Sequence, residues 1–493
     1  MRVLFVSAEV FPIAKAGGLA DVSAALPAAL AELGVDMRLL VPGYRCALSA
    51  LAEANVAVEL TRPSENATRP LADQFDFPGL GSARILESRL PDSGLPIWLV
   101  DCPSLYDRPG GPYQDETGRS WPDQLERFVM LSRCAAVVAG EVSPFEWKPD
   151  IVHCNEWHTG LTCVSLLAAA RRPHTVFTIL NMGFDGTFPG KRAAILGLQS
   201  AMLSENGIGT RRGFSLLKAG IVFADWVTTV SPTYAREIRT PAYGGAFAGL
   251  LEQRIESLSG ILNAVDYRVW NPSTDPYIAA RYDADDLSGK IACRAALLEA
   301  FGIGGDARAP VFGCVSRLTE QKGIELIPSA LAPALESGCR FVLLGFGDAR
   351  IEDAIRNLVR RFPGRVGARF EVNEALAHAV EAGSDIFLMP SRFEPCGLNQ
   401  MYSMLYGTPP IVHAVGGLAD TVVDTTAASM QSGTATGFAF AGHEVESFAD
   451  AIGRALAVFA RVEQWRAVQR HGMRHDFSWY RAASRYVDLY KSL

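Results

Sequence analysis

The sequence predicts an α/β protein made of two doubly wound domains. Three observations carry that expectation. Short β-branched apolar runs alternate with longer helical patterns in both halves of the chain. The pentapeptide Gly-Gly-Leu-Ala-Asp occurs twice, at residues 17–21 and 416–420. Each copy follows a β-rich run and opens a helical stretch, where a parallel α/β domain places a phosphate-binding turn. Finally, 493 residues exceed what one ordinary core organises.

The elements follow in order. In the first half, apolar runs predict strands over 3–7, 37–41, 97–101, 150–153, 175–179 and 226–230. In the second half they fall at 311–315, 341–344, 369–372, 386–389 and 411–413. Several are apolar on both faces, as parallel strands between helix layers must be. Helical patterns lie at about 20–33, 122–141, 159–171, 288–301, 323–337, 349–361 and 398–406. The stretch 259–275 is rich in Gly, Asn, Pro and Asp and reads as a connector. The expected domains are therefore 1–262 and 263–476. Aromatic residues at 479, 480, 486 and 490 suit an amphipathic helix over 477–493 that returns to the first domain.

Composition excludes several classes. A net charge of −7 argues against a general nucleic-acid or membrane-surface binder, so an anionic ligand must meet local positive charge. Nine scattered cysteines without a Cys-x-x-Cys pair read as reduced, cytoplasmic thiols, with neither a disulfide frame nor a zinc site. The first residues read as a buried strand rather than a signal segment, since Glu9, Pro12 and Lys15 interrupt the apolar run. No run approaches the ~18 apolar residues of a membrane span.

Five segments can carry chemistry. After the first strand comes Lys15-Ala-Gly-Gly-Leu-Ala-Asp-Val22. Gly17 and Gly18 let backbone N–H groups approach an oxyanion, the helix start adds its dipole, and Lys15 supplies a mobile charge. Asp21 can accept from a sugar hydroxyl, or can simply stabilise the helix start. Arg317 and Lys322 flank a strand-to-helix turn, where they suit a diphosphate. By themselves they also read as solvated surface cations. Glu394, Cys396, Gly397 and Leu398 form a further turn after a strand, able to grip several hydroxyls of a hexose. Glu394 can equally be a helix cap. The second Gly-Gly pair, Gly416 and Gly417, follows about twenty residues later, and this clustering at strand ends favours function. In His153-Cys-Asn-Glu-Trp-His158 the histidine spacing does not match a metal pair. Trp157 there can stack on a sugar or belong to the core.

Together these segments resemble bacterial glycogen synthases and plant starch synthases, retaining glycosyltransferases of the GT-B type with two Rossmann-like domains facing a cleft. The resemblance covers nearly the whole chain, through residues 15–22, 153–160, 214–234, 260–266, 315–323, 394–400 and 416–422. It implies transfer of glucose from ADP-glucose to the non-reducing end of an α-1,4-glucan, with no cofactor and no metal. Lys15, Gly17 and Gly18 would then contact the donor's phosphate and sugar region, with Asp21 beside them. Arg317 and Lys322 would neutralise the leaving diphosphate, with Glu394 as a third catalytic residue. Glu394, Cys396, Gly397 and Leu398 would hold the glucose, and Gly416 and Gly417 would line the donor pocket. Trp157 and Asn263 fall near the sugar and acceptor. The acceptor side would be the first domain and the donor side the second.

Two positions depart from the family's pattern. Leu180 stands where the family has a histidine beside the reacting carbon, and Glu156 stands where aspartate is usual. Loss of one transition-state contact lowers turnover by ~10²–10³. The sequence therefore also admits a related transferase with another donor or acceptor, or a weakly active glucan-binding paralogue.

Overall fold

A computed structural model describes residues 1–60, 80–141, 143–169, 171–304 and 308–493. The chain divides into two compact units. The first comprises Met1–Val230, Ala235–Ile261 and Trp479–Leu493, and the second comprises Leu262–Ser478 with the short segment Ser231–Tyr234.

The first unit holds β1 (Arg2–Val6), β2 (Asp36–Pro42), β3 (Asn55–Leu60), β4 (Ala83–Arg89), β5 (Pro96–Asp101), β6 (Ile151–Asn155) and β7 (His174–Ile179). It continues with β8 (Thr187–Phe188), β9 (Gly209–Thr210), β10 (Gly213–Ser215), β11 (Trp226–Thr229) and β12 (Leu258–Gly260). The main sheet runs β12-β11-β7-β6-β1-β2-β5-β4-β3. It is parallel except where β4 pairs antiparallel with β3 and β5. Its centre is apolar on both faces: Val3, Leu4, Phe5 and Val6 are fully buried. Strands β8, β10 and β9 make a small separate sheet.

The second unit holds β13 (Val311–Val315), β14 (Arg340–Leu344), β15 (Val366–Arg369), β16 (Ile386–Met389), β17 (Pro410–His413) and β18 (Phe438–Phe440). All pairings are parallel, in the order β15-β14-β13-β16-β17-β18. In chain order that is 3-2-1-4-5-6, the Rossmann order, whose ligand crevice opens where the order reverses, beyond β13 and β16. The first sheet reverses at the corresponding place, between β1 and β6.

Several expectations need correction. The third strand of the second unit is Val366–Arg369, not 369–372, and Val372 is 80% exposed. The long helix expected over 323–337 is three short pieces: Ile324–Leu326, Ile327–Ala330 and Ala332–Glu336. Pro328 and Pro333 lack the N–H a helix interior needs and sit in the first turns of the last two. The helix expected over 159–171 is Gly160–Leu166, and residue 170 lies outside the described residues. Ser231–Tyr234 joins the second unit because Ser231 Oγ donates to Pro395 O at 2.7 Å and Thr233 binds Asp420.

The C-terminal helix, Trp479–Ser492, packs against the helix Gly18–Glu32 of the first unit. It buries Ala482, Ala483, Tyr486, Leu489 and Tyr490, whereas Tyr480 faces solvent. Tyr490 OH meets His153 Nδ1 at 2.6 Å. Burial holds His153 down at about 3, so it is a neutral core group.

Candidate active site

The second unit gathers nine of the sequence-derived residues. Arg317 leaves β13 into solvent, and its guanidinium makes no hydrogen bond or ion pair among the described residues. Lys322 ends the single turn Glu320–Lys322 and turns inward. Its Nζ lies 2.6 Å from Glu394 Oε2, and Ser391 Oγ donates to the same oxygen at 2.9 Å. Glu394 is buried, so this is a shielded, charge-assisted pair. The ammonium still has N–H donors beyond the one used here. Glu394 is therefore no mere helix cap: its carboxylate is aimed at Lys322, beside the place where β13 and β16 end.

Cys396 follows as a buried neutral thiol, pushed up to about 12 chiefly by burial. The backbone N–H of Asn263 donates to its sulfur, which brings Asn263 to this loop. Gly397 takes φ +73°, and a Cβ there would lie 2.5 Å from Gln400 Oε1. Leu398 precedes the helix Asn399–Leu405. Gln400 Nε2 ties the turn together by donating to Cys396 O, Gly397 O and Thr421 Oγ1 at 3.0–3.1 Å.

Gly416 and Gly417 serve this same loop. The Gly417 N–H donates to Glu394 O at 3.0 Å. A Cβ on Gly416 would come within 2.0 Å of Glu394 O, and one on Gly417 within 2.0 Å of Cys396 O. The second pentapeptide is thus a packing surface for the Glu394–Cys396 backbone. Its Asp420 accepts from Thr233 N and Oγ1, both at 2.7 Å.

In the first unit, Lys15 Nζ lies 2.8 Å from Asp21 Oδ1, with the side chains 44% and 37% exposed. Such a pair contributes ~0–1 kcal/mol and yields readily to a stronger anion. The Gly17 amide is not free for a phosphate, which corrects the sequence reading: it donates to Glu9 Oε2 at 2.9 Å. Gly18 opens the helix without a side-chain cap, and a Cβ on Gly17 or Gly18 would meet nothing within 4 Å. This turn has the open space that the second copy lacks.

Trp157 does not present a face for a sugar. It is 7% exposed, packed edge-on against Phe128 at 5.0 Å and close to Phe188 and His158. Gly186 at φ +54° leaves room for its ring, since a Cβ there would lie 2.5 Å from it. The core reading of this tryptophan is the correct one. Glu156 Oε1 accepts from the N–H groups of Leu180 and Asn181 at 2.5 and 3.0 Å. Leu180 itself is half-buried where β7 ends.

Sequence reasoning missed Ser391, Gln400, Thr233, Glu9 and Tyr113. Glu9 was visible only as a charge interrupting an apolar run. Its partner Tyr113 is 104 residues away and gave no signal. Among the described residues, no group of three or more His, Cys, Asp or Glu side chains is placed to hold a metal ion, and no helix is long and apolar enough to cross a membrane.

Two Rossmann-like sheets, each with polar groups gathered beyond its reversal point, give the architecture of the GT-B class of glycosyltransferases. Comparisons give the narrower assignment. Residues 2–253 match the family described as starch synthase catalytic domain, and residues 309–457 match glycosyl transferases group 1. A glycogen synthase from Paramagnetospirillum magneticum is 46% identical over 100% of this chain and 98% of its own length. One from Nitrosomonas eutropha is 43% identical over 100% and 96%. The solved catalytic domain of starch synthase IV from Arabidopsis thaliana, bound to ADP and acarbose, is 31% identical with a TM-score of 0.84, covering 99% of this chain and 98% of that one. The chain belongs to the glycogen and starch synthase family.

Proposed function

We propose that the protein transfers glucose from ADP-glucose to the non-reducing end of an α-1,4-glucan, with retention, and so builds glycogen in the cytoplasm. The observation that carries this reading is the group beyond β13 and β16: free Arg317, and Lys322 paired to buried Glu394. Departure of ADP places negative charge on a diphosphate. Arg317 can take it bidentately, and Lys322 can share its remaining donors with it. Together these cations supply electrostatic stabilisation without a metal. Glu394, held by Lys322 and Ser391, offers a carboxylate to the sugar hydroxyls. The names of the relatives, and the ADP and acarbose bound to the plant starch synthase, support the donor and acceptor classes.

One observation favours a second reading, a weakly active glucan-binding paralogue. Leu180 has no polar atom to offer where the family pattern has histidine. The test is ADP release with glycogen and a panel of nucleotide-sugars, for the parent and for Leu180→His. ADP-glucose is expected to be the best donor, and the substitution to raise turnover. A better donor than ADP-glucose, or glucan binding without turnover in both forms, would overturn the proposal.

A further inference from the structure

We infer that Glu9 and Glu156 form a paired carboxylate brace, which positions the loops carrying Lys15 and Leu180 through their backbone amides. The two residues follow β1 and β6, neighbouring strands in direct register (Val6 opposite Cys154). Each accepts two successive backbone amides on one oxygen. Glu9 Oε2 accepts from Ala16 and Gly17 N–H at 2.6 and 2.9 Å. Glu156 Oε1 accepts from Leu180 and Asn181 N–H. Glu9 Oε1 is held in turn by Tyr113 OH at 2.5 Å. Both glutamates are buried.

The arrangement is costly to keep. Burying carboxylates is unfavourable unless their acceptor sites are filled, and here amides fill them. Glu156 also takes φ +64° and ψ 170°, a strained region occupied almost only by glycine. Strain at a switch-point residue is expected where geometry serves chemistry. The longer arm of glutamate at 156 reaches both amides of the segment that carries Leu180. Neither glutamate need touch the substrate to act; both are positioning residues.

The brace is sensitive to protons. Burial, more than its hydrogen bonds, pushes Glu156 up to about 7. The charged and titratable groups around it are Glu9, which raises it further, and Tyr113, whose hydroxyl is held well up by burial first and by the two glutamates besides. His158 is buried and held down at about 3, so it stays neutral. Ionised Glu156 grips the two amides; protonated, it accepts more weakly.

The kinetic part of this inference rests on the proposed glucosyl transfer, so the experiment has two readouts on the full chain. Amide hydrogen exchange follows Ala16, Gly17, Leu180 and Asn181 in the parent, Glu9→Gln and Glu156→Gln. Steady-state kinetics with ADP-glucose and glycogen follows kcat, KM and their pH profiles. Each variant should lose part of the protection at its own two amides, because a neutral amide oxygen accepts more weakly than a carboxylate. Each should lower kcat by about 10²-fold, as for an ångström-scale misplacement, with a much smaller change in glycogen KM. The parent's kcat should rise through pH 7, and Glu156→Gln should flatten that limb. Unchanged protection overturns the brace, whether or not the enzyme is active. Lost protection with unchanged kcat and pH profile overturns the positioning role. Lost protection in variants of an inactive parent supports the brace and overturns the functional proposal instead.

Discussion

The two copies of Gly-Gly-Leu-Ala-Asp share a sequence and a place, after a parallel strand, yet do opposite work. In the first, the space around Gly17 and Gly18 is empty, and Asp21 forms an exposed ion pair with Lys15. In the second, both glycines are pressed onto the Glu394–Cys396 backbone, and Asp420 fixes Thr233. Absence of a side chain leaves room in one copy and allows contact in the other. A motif read from sequence gives the permissiveness of glycine but not what uses it.

The comparison can be sharpened by substitution. The largest effect is expected where a polar group faces solvent without a protein partner. Arg317→Ala should lower kcat by ~10²–10³ and leave the melting temperature unchanged, because no internal contact is lost. A substantial fall in melting temperature would mean that Arg317 is structural. Next comes pH. Folding raises the Glu156 pKa from 4.5 to about 7, so its neutral form is favoured in the folded protein. Its stabilising contribution is present below the ordinary value and is lost as pH rises through 7. Melting temperatures of the parent and Glu156→Gln should therefore diverge least in the parent's favour at pH 7.5 and most at pH 5. The opposite trend would remove burial as the dominant cause. Stability and activity then pull in opposite directions at this residue, since the grip on Leu180 needs the ionised form. The smallest effect is expected for Asp21→Ala, which should change stability by less than ~1 kcal/mol in denaturant melts. Asp420→Ala is the contrasting case, since it removes the carboxylate that accepts from both Thr233 N–H and Thr233 Oγ1.

How much was legible follows from the forces involved. Strands such as Val311–Val315 and Ile386–Met389 were readable because burial on both faces demands unbroken apolar runs. The apolar spacing over 323–337 suits one helix, but Pro328 and Pro333 lack the N–H that a helix interior needs and divide it. In the site, Arg317, Lys322 and Glu394 were legible because they follow strands that end at the reversal of the sheet. The Lys322–Glu394 pair itself spans 72 residues and needed the fold. Trp157 was ambiguous because a large aromatic fits a core as well as a sugar, and only Phe128, Phe188 and Gly186 decide it. Glu9 and Glu156 act on backbone amides, and backbone partners leave no mark in a sequence.

The most direct test is a matched pair, Gly17→Ala and Gly417→Ala, each followed by melting temperature and by the KM for ADP-glucose. Gly17 has extended backbone and empty surroundings, so alanine there should leave stability within ~0.5 kcal/mol while altering donor KM. Gly417→Ala forces a methyl into the Cys396 carbonyl and should destabilise the second unit by ~1–3 kcal/mol. A stable Gly417→Ala protein, or a Gly17→Ala protein that melts early with its donor KM unchanged, would contradict the division of labour between the two copies.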